Sequence, residues 1–185
     1  AMDVYAHLRL THTRPDYGIK SVLSEGEEAA VTEEVALVAP FGTLLHFRKN
    51  TKAVQPKVLL AAPLSGHFAT LLRETVRTLL RDHDVYLTDW HNARDVPLWN
   101  GGFGLDDYTL QIVSFLEAIG PGAHMMAVCQ PCVAALAATA LMAEDDHPAA
   151  PLSLTLMAGP VDCRINPTMV NKLATDRPIG WLLLL

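Results

Sequence analysis

The stretch His124-Met125-Met126-Ala127-Val128-Cys129-Gln130-Pro131-Cys132-Val133, followed by Ala134-Ala135-Leu136-Ala137-Ala138-Thr139-Ala140-Leu141-Met142, decides the fold. It reads as a buried strand over 124–128, a sharp turn with a cysteine at its apex, and an alanine-rich helix over 131–144. A residue at the apex of such a turn is held on strained backbone with its side chain exposed, which suits a nucleophile. The turn here is Ala127-Val128-Cys129-Gln130-Pro131. Backbone N–H groups and the helix dipole at a helix start favour the thiolate, the reactive form of a cysteine. The alternative for Cys129 is a cysteine packed as a small hydrophobe, the usual fate of a free thiol.

Outward from this stretch, strands alternate with helices. Lys57-Val58-Leu59-Leu60-Ala61-Ala62 is a continuous apolar strand, Pro63-Leu64-Ser65-Gly66-His67 a loop, and 68–80 a helix. Val85-Tyr86-Leu87-Thr88-Asp89-Trp90 is the next strand, and 91–104 a loop rich in Gly and Asn. Asp106 is expected to cap a helix running to about Ile119, where Gly120-Pro121-Gly122 ends it. Leu152-Ser153-Leu154-Thr155-Leu156-Met157 is a further strand, and Asn166-Pro167-Thr168 opens a short helix. Nearer the N-terminus, Val31 to Val38 and Thr43 to Phe47 flank the turn Pro40-Phe41-Gly42 as an antiparallel hairpin. Residues 1–30 read as an extended N-terminal arm, broken at Pro15, Gly18 and Gly26. The pattern predicts an α/β fold with a mostly parallel sheet and helices on both faces. No internal repeat is visible.

The 185 residues are half hydrophobic and 18% charged, enough for one domain with a real core. A net charge of −6 argues against a nucleic-acid binder, since no basic stripe exists to neutralise phosphates. Three cysteines, Cys129, Cys132 and Cys163, make no disulfide framework and point to a reducing, cytoplasmic compartment. The opening Ala1-Met2-Asp3-Val4 lacks the basic and apolar regions of a signal peptide. No apolar run approaches the roughly 20 residues of a membrane span. The closing Leu182-Leu183-Leu184-Leu185 reads as a chain cut inside a core element. With an incomplete sheet it predicts an exposed apolar edge, hence a dimer or aggregation.

Ligands of parallel sheets bind outside the carboxyl ends of the strands, where Cys129, the 63–67 loop, Asp89 and Asp162 all fall. A loop amide near Leu64 or Ser65, together with the amide of Gln130, would form an oxyanion hole. Gly66 permits tight backbone geometry there, and His67 would contact substrate. The alternatives are an ordinary loop in which Ser65 caps the helix, and a solvated His67. Asp89 and Asp162 would orient a histidine or bind substrate, or act as helix caps and turn formers. The general base is the gap. The one histidine after Cys129 is His147, which the intervening helix carries about 20–25 Å from the thiol. Cys129-Gln130-Pro131-Cys132 also has the C-x-x-C spacing of redox turns, and with Cys163 and a histidine would make a zinc set. A single C-x-x-C without a second pair is weak support for either.

Several segments, in this order, resemble the intracellular poly(3-hydroxybutyrate) depolymerases, polyester-degrading enzymes of the α/β-hydrolase fold. They are Ala39-Pro40-Phe41-Gly42, the run Pro63 to Arg73, Thr88-Asp89-Trp90 with Ala93-Arg94-Asp95-Val96-Pro97, Val128-Cys129-Gln130-Pro131, Leu156 to Asp162, and Asn166-Pro167-Thr168 with Asn171. The resemblance runs from about Tyr17 to Trp181. It implies a partial α/β-hydrolase domain over 31–185 with its C-terminal strands missing. It implies a nucleophilic Cys129 and no catalytic role for Cys132, while the family's aspartate and histidine lie beyond position 185. It further implies hydrolysis of polyhydroxybutyrate or its oligomers through an acyl-thioester, without a cofactor or metal, in the cytoplasm at polymer granules. Exposed loop aromatics such as Phe68, Trp99 and Phe103 suit an uncharged substrate. A polyester synthase-like acyltransferase, and a non-catalytic granule-binding or partner subunit, remain alternatives.

Overall fold

A computed structural model describes residues 14–64 and 69–182. Seven strands form one mixed sheet: β1 (Ser21–Ser24), β2 (Glu27–Val38), β3 (Gly42–Lys49), β4 (Lys57–Ala61), β5 (Asp84–Trp90), β6 (Ala123–Val128) and β7 (Leu154–Met157). Their order across the sheet is β1-β2-β3-β5-β4-β6-β7. The first half is antiparallel, including the β2–β3 hairpin expected around Pro40-Phe41-Gly42. The second half, β5-β4-β6-β7, is parallel. The sheet also takes in Ser21–Ser24, inside the stretch read as an arm, by pairing it with the start of β2.

β4 is a continuous apolar run because it lies between β5 and β6 with both faces covered. Its side chains alternate between two cores. Leu59 and Ala61 face one layer, formed by α2 (Leu105–Ile119) and α3 (Pro131–Glu144). Val58 and Leu60 face the other, with Val76 of α1 (Arg73–Leu79) and the buried Tyr17 and Val22. Helices therefore cover both faces. Ala134, Ala135 and Ala138 are buried on α3, and their small size lets the helix lie close against β6. The cap of α2 differs from expectation. Asp107, not Asp106, reaches back, its Oδ2 accepting the Gly104 N–H at 2.8 Å, while Asp106 sits in the first turn. The short helix α4 (Met169–Asp176) starts where expected, with Thr168 Oγ1 accepting from the Asn171 N–H at 3.2 Å.

Two long-range polar clamps tie the antiparallel half to the rest. Arg14 pairs with Glu33 of β2 at 2.8 Å and Asp89 of β5 at 2.6 Å, while Tyr17 lies edge-on to Phe47 with ring centres 5.0 Å apart. The buried Lys49 of β3 donates through Nζ to the carbonyls of Leu80 (2.5 Å) and His83 (2.8 Å) just past α1, and to Gln55. A cation at those carbonyls complements the helix dipole. Replacing Lys49→Met would keep the packing and strand both carbonyls. Loss of buried hydrogen-bond partners costs about 1–3 kcal/mol, so the unfolding free energy of the variant, measured by urea denaturation, is expected to fall by an amount in that range.

Candidate functional site

β6 ends at Val128 and α3 begins at Pro131, so the chain must turn within two residues. Cys129 takes the turn at φ 69°, in the left-handed region, and its side chain is exposed. The buried-cysteine alternative is thereby removed for Cys129. Gln130 has helical torsions (φ −53°, ψ −43°), is exposed, and occupies the N-cap position of α3. The Cys129 N–H donates to Met157 O at 2.8 Å, extending the β6–β7 ladder by one residue. The Cys132 N–H donates to Cys129 O at 3.2 Å, starting the helix. Non-glycine residues held at such torsions cost about 1–3 kcal/mol and persist only where their surroundings over-determine them.

Two positions whose supporting role sequence reasoning missed hold this turn. Cys132 is fully buried beneath it, with Sγ 3.4 Å from Ala127 O and 3.7 Å from Met157 O. That packing accounts for Cys132 as a structural residue. Gly159, after β7, presses against the first turn of α3. A Cβ at position 159 would overlap the Cβ and Sγ of Cys132 and sit 2.9 Å from Cys129 O. Glycine is needed there for space and not for a left-handed φ. The Gly159-Pro160 pair after a strand was the available signal.

Leu64 follows β4, exposed. β4 and β6 are parallel neighbours in register through Ala61 and Ala127, so Leu64 and Cys129 leave the same edge of the sheet from adjacent strands, which lie about 4.8 Å apart. Ser65, Gly66, His67 and Phe68 lie outside the described residues. Asp89 and Asp162 do occupy carboxyl ends, but both are engaged by arginines. Asp89 is buried against Arg14; burial pushes its carboxyl above the ordinary range and the guanidinium opposes that. Asp162 is exposed and chelated by Arg164 through Nε and Nη2, both 2.8 Å, which holds its carboxyl below the usual range. Trp99 is exposed, whereas Phe103 is half-buried and stacks on Phe41 with ring centres 4.7 Å apart.

Among the described residues no histidine bonds to Cys129. His147 pairs with Glu117 at 3.2 Å beyond the far end of α3, as the helix length required. His46 and His124 bond to Asp84 and Ser153, near the opposite edge of the sheet. His91 follows β5 but bonds to Thr43 and Pro40, away from β6. Among the described residues there is also no group of three or more His, Cys, Asp or Glu side chains arranged to hold a metal, and no helix long and apolar enough to cross a membrane.

The mixed sheet, its helices on both faces and an exposed cysteine on a left-handed strand-to-helix turn define an α/β-hydrolase-like fold. No family model matches the chain, and no curated protein matches it. Among solved structures it is similar to a predicted CIB-like hydrolase from Thermoplasma acidophilum (13% identity, TM-score 0.48, 71% of this chain and 64% of that one). It is also similar to a protein of Staphylococcus aureus that is an esterase by designation only (12% identity, TM-score 0.47, 84% of this chain and 49% of that one). The chain thus spans about two thirds and one half of the lengths of these two structures.

The contact between Gly159 and Cys132 gives a direct test of the turn's support. Gly159→Ala is expected to destabilise by about 1–3 kcal/mol, the usual cost of overpacking. Adding Cys132→Ala should return part of that loss. A double-mutant cycle in urea with a coupling near zero would contradict the contact.

Proposed function

We propose that this chain carries the nucleophile of a cysteine-dependent carboxylic ester hydrolase acting on polyhydroxybutyrate or its soluble oligomers. The observation that supports the reading most is the exposed Cys129 at φ 69° between a central parallel strand and a helix start. The strained turn lifts the thiol clear of the sheet, and the amides at the start of α3 lie beside it. In this reading the Cys129 thiolate attacks the carbonyl carbon of a 3-hydroxybutyrate ester. The carbonyl oxygen becomes an oxyanion that accepts from the Gln130 N–H and from an amide of the loop after β4. The C–O bond to the alcohol breaks, and the departing oxygen takes a proton. Water then attacks the thioester, releasing the acid and restoring the thiol. Among the described residues, no histidine is bonded to Cys129 to deliver and accept these protons.

The polyester substrate rests on the sequence resemblance alone, through the Val128-Cys129-Gln130-Pro131 turn and the accompanying segments. A cytoplasmic setting at polymer granules belongs to the same reading. The lack of a histidine bonded to Cys129 among the described residues favours one competitor, a granule-binding subunit without turnover. A synthase-like acyltransferase would instead move acyl groups from a coenzyme A thioester without releasing free acid.

In the natural full-length protein, 3-hydroxybutyrate oligomers are expected to be hydrolysed, with an acyl adduct on Cys129 detectable by mass spectrometry after acid quench. Cys129→Ala should lower the rate by about 10³-fold or more while leaving the fold intact. Full activity in that variant would overturn the reading. Cosedimentation with granules without acid release would favour the binding subunit.

A further inference from the structure

The β4 ladder with its neighbours stops at Ala61. The next residue, Ala62, is fully buried, and its main chain would be left with an unpaired donor and acceptor. Both are taken by side chains of β5. The Ala62 N–H donates to Thr88 Oγ1 at 2.9 Å, and the Trp90 indole Nε1–H donates to Ala62 O at 2.8 Å. Thr88 is itself fully buried. The indole has little freedom to turn. Tyr108 meets it edge-on with ring centres 4.9 Å apart, and Phe103 and Phe115 lie at 6.0 Å. On another side it lies against Gly42, where a Cβ would come within 2.9 Å of Trp90 Cε3.

Two residues after Ala62 the chain reaches Leu64, with Pro63 between them. Proline fixes its own φ and restricts the residue before it. A clamp on both polar groups of Ala62 followed by a proline leaves few soft torsions before the Leu64 amide. We propose that Thr88 and Trp90 are positioning residues that hold the chain from Ala62 to Leu64 at the height of Cys129, so that the Leu64 amide meets the oxyanion formed there. The inference rests on the ester-hydrolase reading and names residues of the same site that do not touch substrate. It accounts for a cost that a passive loop would not carry, since a buried hydroxyl and the indole N–H of a half-buried tryptophan are both committed to one alanine.

The experiment compares two reactions of Cys129 in the natural full-length protein. Acylation by p-nitrophenyl butyrate, followed as the pre-steady-state burst of p-nitrophenolate, develops an oxyanion. Alkylation by iodoacetamide does not: the sulfur–carbon bond forms as the carbon–iodine bond breaks, and iodide leaves. Thr88→Val keeps the shape and removes the hydroxyl, Trp90→Phe removes the indole N–H, and Thr88→Ser restores a hydroxyl. Small misplacements of a catalytic donor cost up to about 100-fold. The acylation rate is therefore expected to fall between about 10- and 100-fold in Thr88→Val and Trp90→Phe, with alkylation within about twofold of wild type. Thr88→Ser should recover most of the loss. Unchanged acylation in both variants would overturn the positioning role, as would acylation and alkylation falling together. If one of the two fails to fold by circular dichroism, the other decides. A wild-type protein that alkylates at Cys129 but gives no burst would instead overturn the hydrolase reading, and this inference with it.

Discussion

One backbone torsion governs the carboxyl edge of the sheet. Cys129 at φ 69° is where a parallel strand becomes a helix without an intervening loop. An L-residue pays a steric penalty there that glycine avoids. The torsion is nonetheless the one available solution, because both flanks are fixed independently. The Cys129 N–H belongs to the ladder with Met157, and Cys129 O belongs to the first turn of α3. β6 is anchored in both cores, and α3 is anchored through Ala134, Ala135, Ala138 and Met142. Relaxing φ at Cys129 would therefore break a ladder bond or a helix bond, or unpack one of two buried elements.

That constraint explains where the glycines went. The usual turn of this kind has glycine on either side of the apex; here Ala127 and Pro131 stand in those places. The room has been found on the neighbouring chain segment. Gly159 lies where any side chain would strike Cys132, and Cys132 is small enough to fit between Ala127 O, Met157 O and Gly159. The Cys-x-x-Cys spacing is thus explained by packing, with an exposed thiol at the apex and a buried one as its support. A pattern written along the sequence records neighbours in the chain. It has no symbol for a glycine thirty residues on that makes space for the turn.

The same distinction separates what the sequence disclosed from what it hid. The helix over 131–144 was legible to the residue, because Pro131 opens it and a long alanine run has no other stable place. The helix at 105–119 was legible to within two residues: a cap at Asp106 would start it at 107, whereas Gly104 is the N-cap and the carboxylate that closes the cap is that of Asp107, the adjacent aspartate carrying the same local signal. The fate of the charges was not legible. Arg14 reaches across the sheet to Asp89, and Lys49 reaches the end of α1, contacts that depend on the order β3-β5-β4 and on no local pattern. At the site, local reasoning put Cys129, Gln130 and Leu64 at one edge because strand polarity alone does so. It could not tell that Asp89 and Asp162, equally well placed by polarity, were each already neutralised by an arginine.

The triplet Thr88-Asp89-Trp90 shows the point at its smallest scale. Asp89 draws the eye as a strand-end carboxylate, the conventional bearer of chemistry. A strand turns alternate residues to opposite faces, so Asp89 looks toward the Arg14 and Tyr17 side, where its charge holds the N-terminal segment to the sheet. Trp90 packs on the other side among Tyr108, Phe103 and Phe115. There the two residues that flank the aspartate meet both main-chain groups of Ala62. The charged residue serves the fold, and its two less conspicuous neighbours fix the chain at the start of the loop beside Cys129. Such a division follows from strand periodicity together with the β5–β4 pairing. A hydroxyl and an indole at alternate positions on the strand next to a nucleophile-bearing strand can shape a site without entering it.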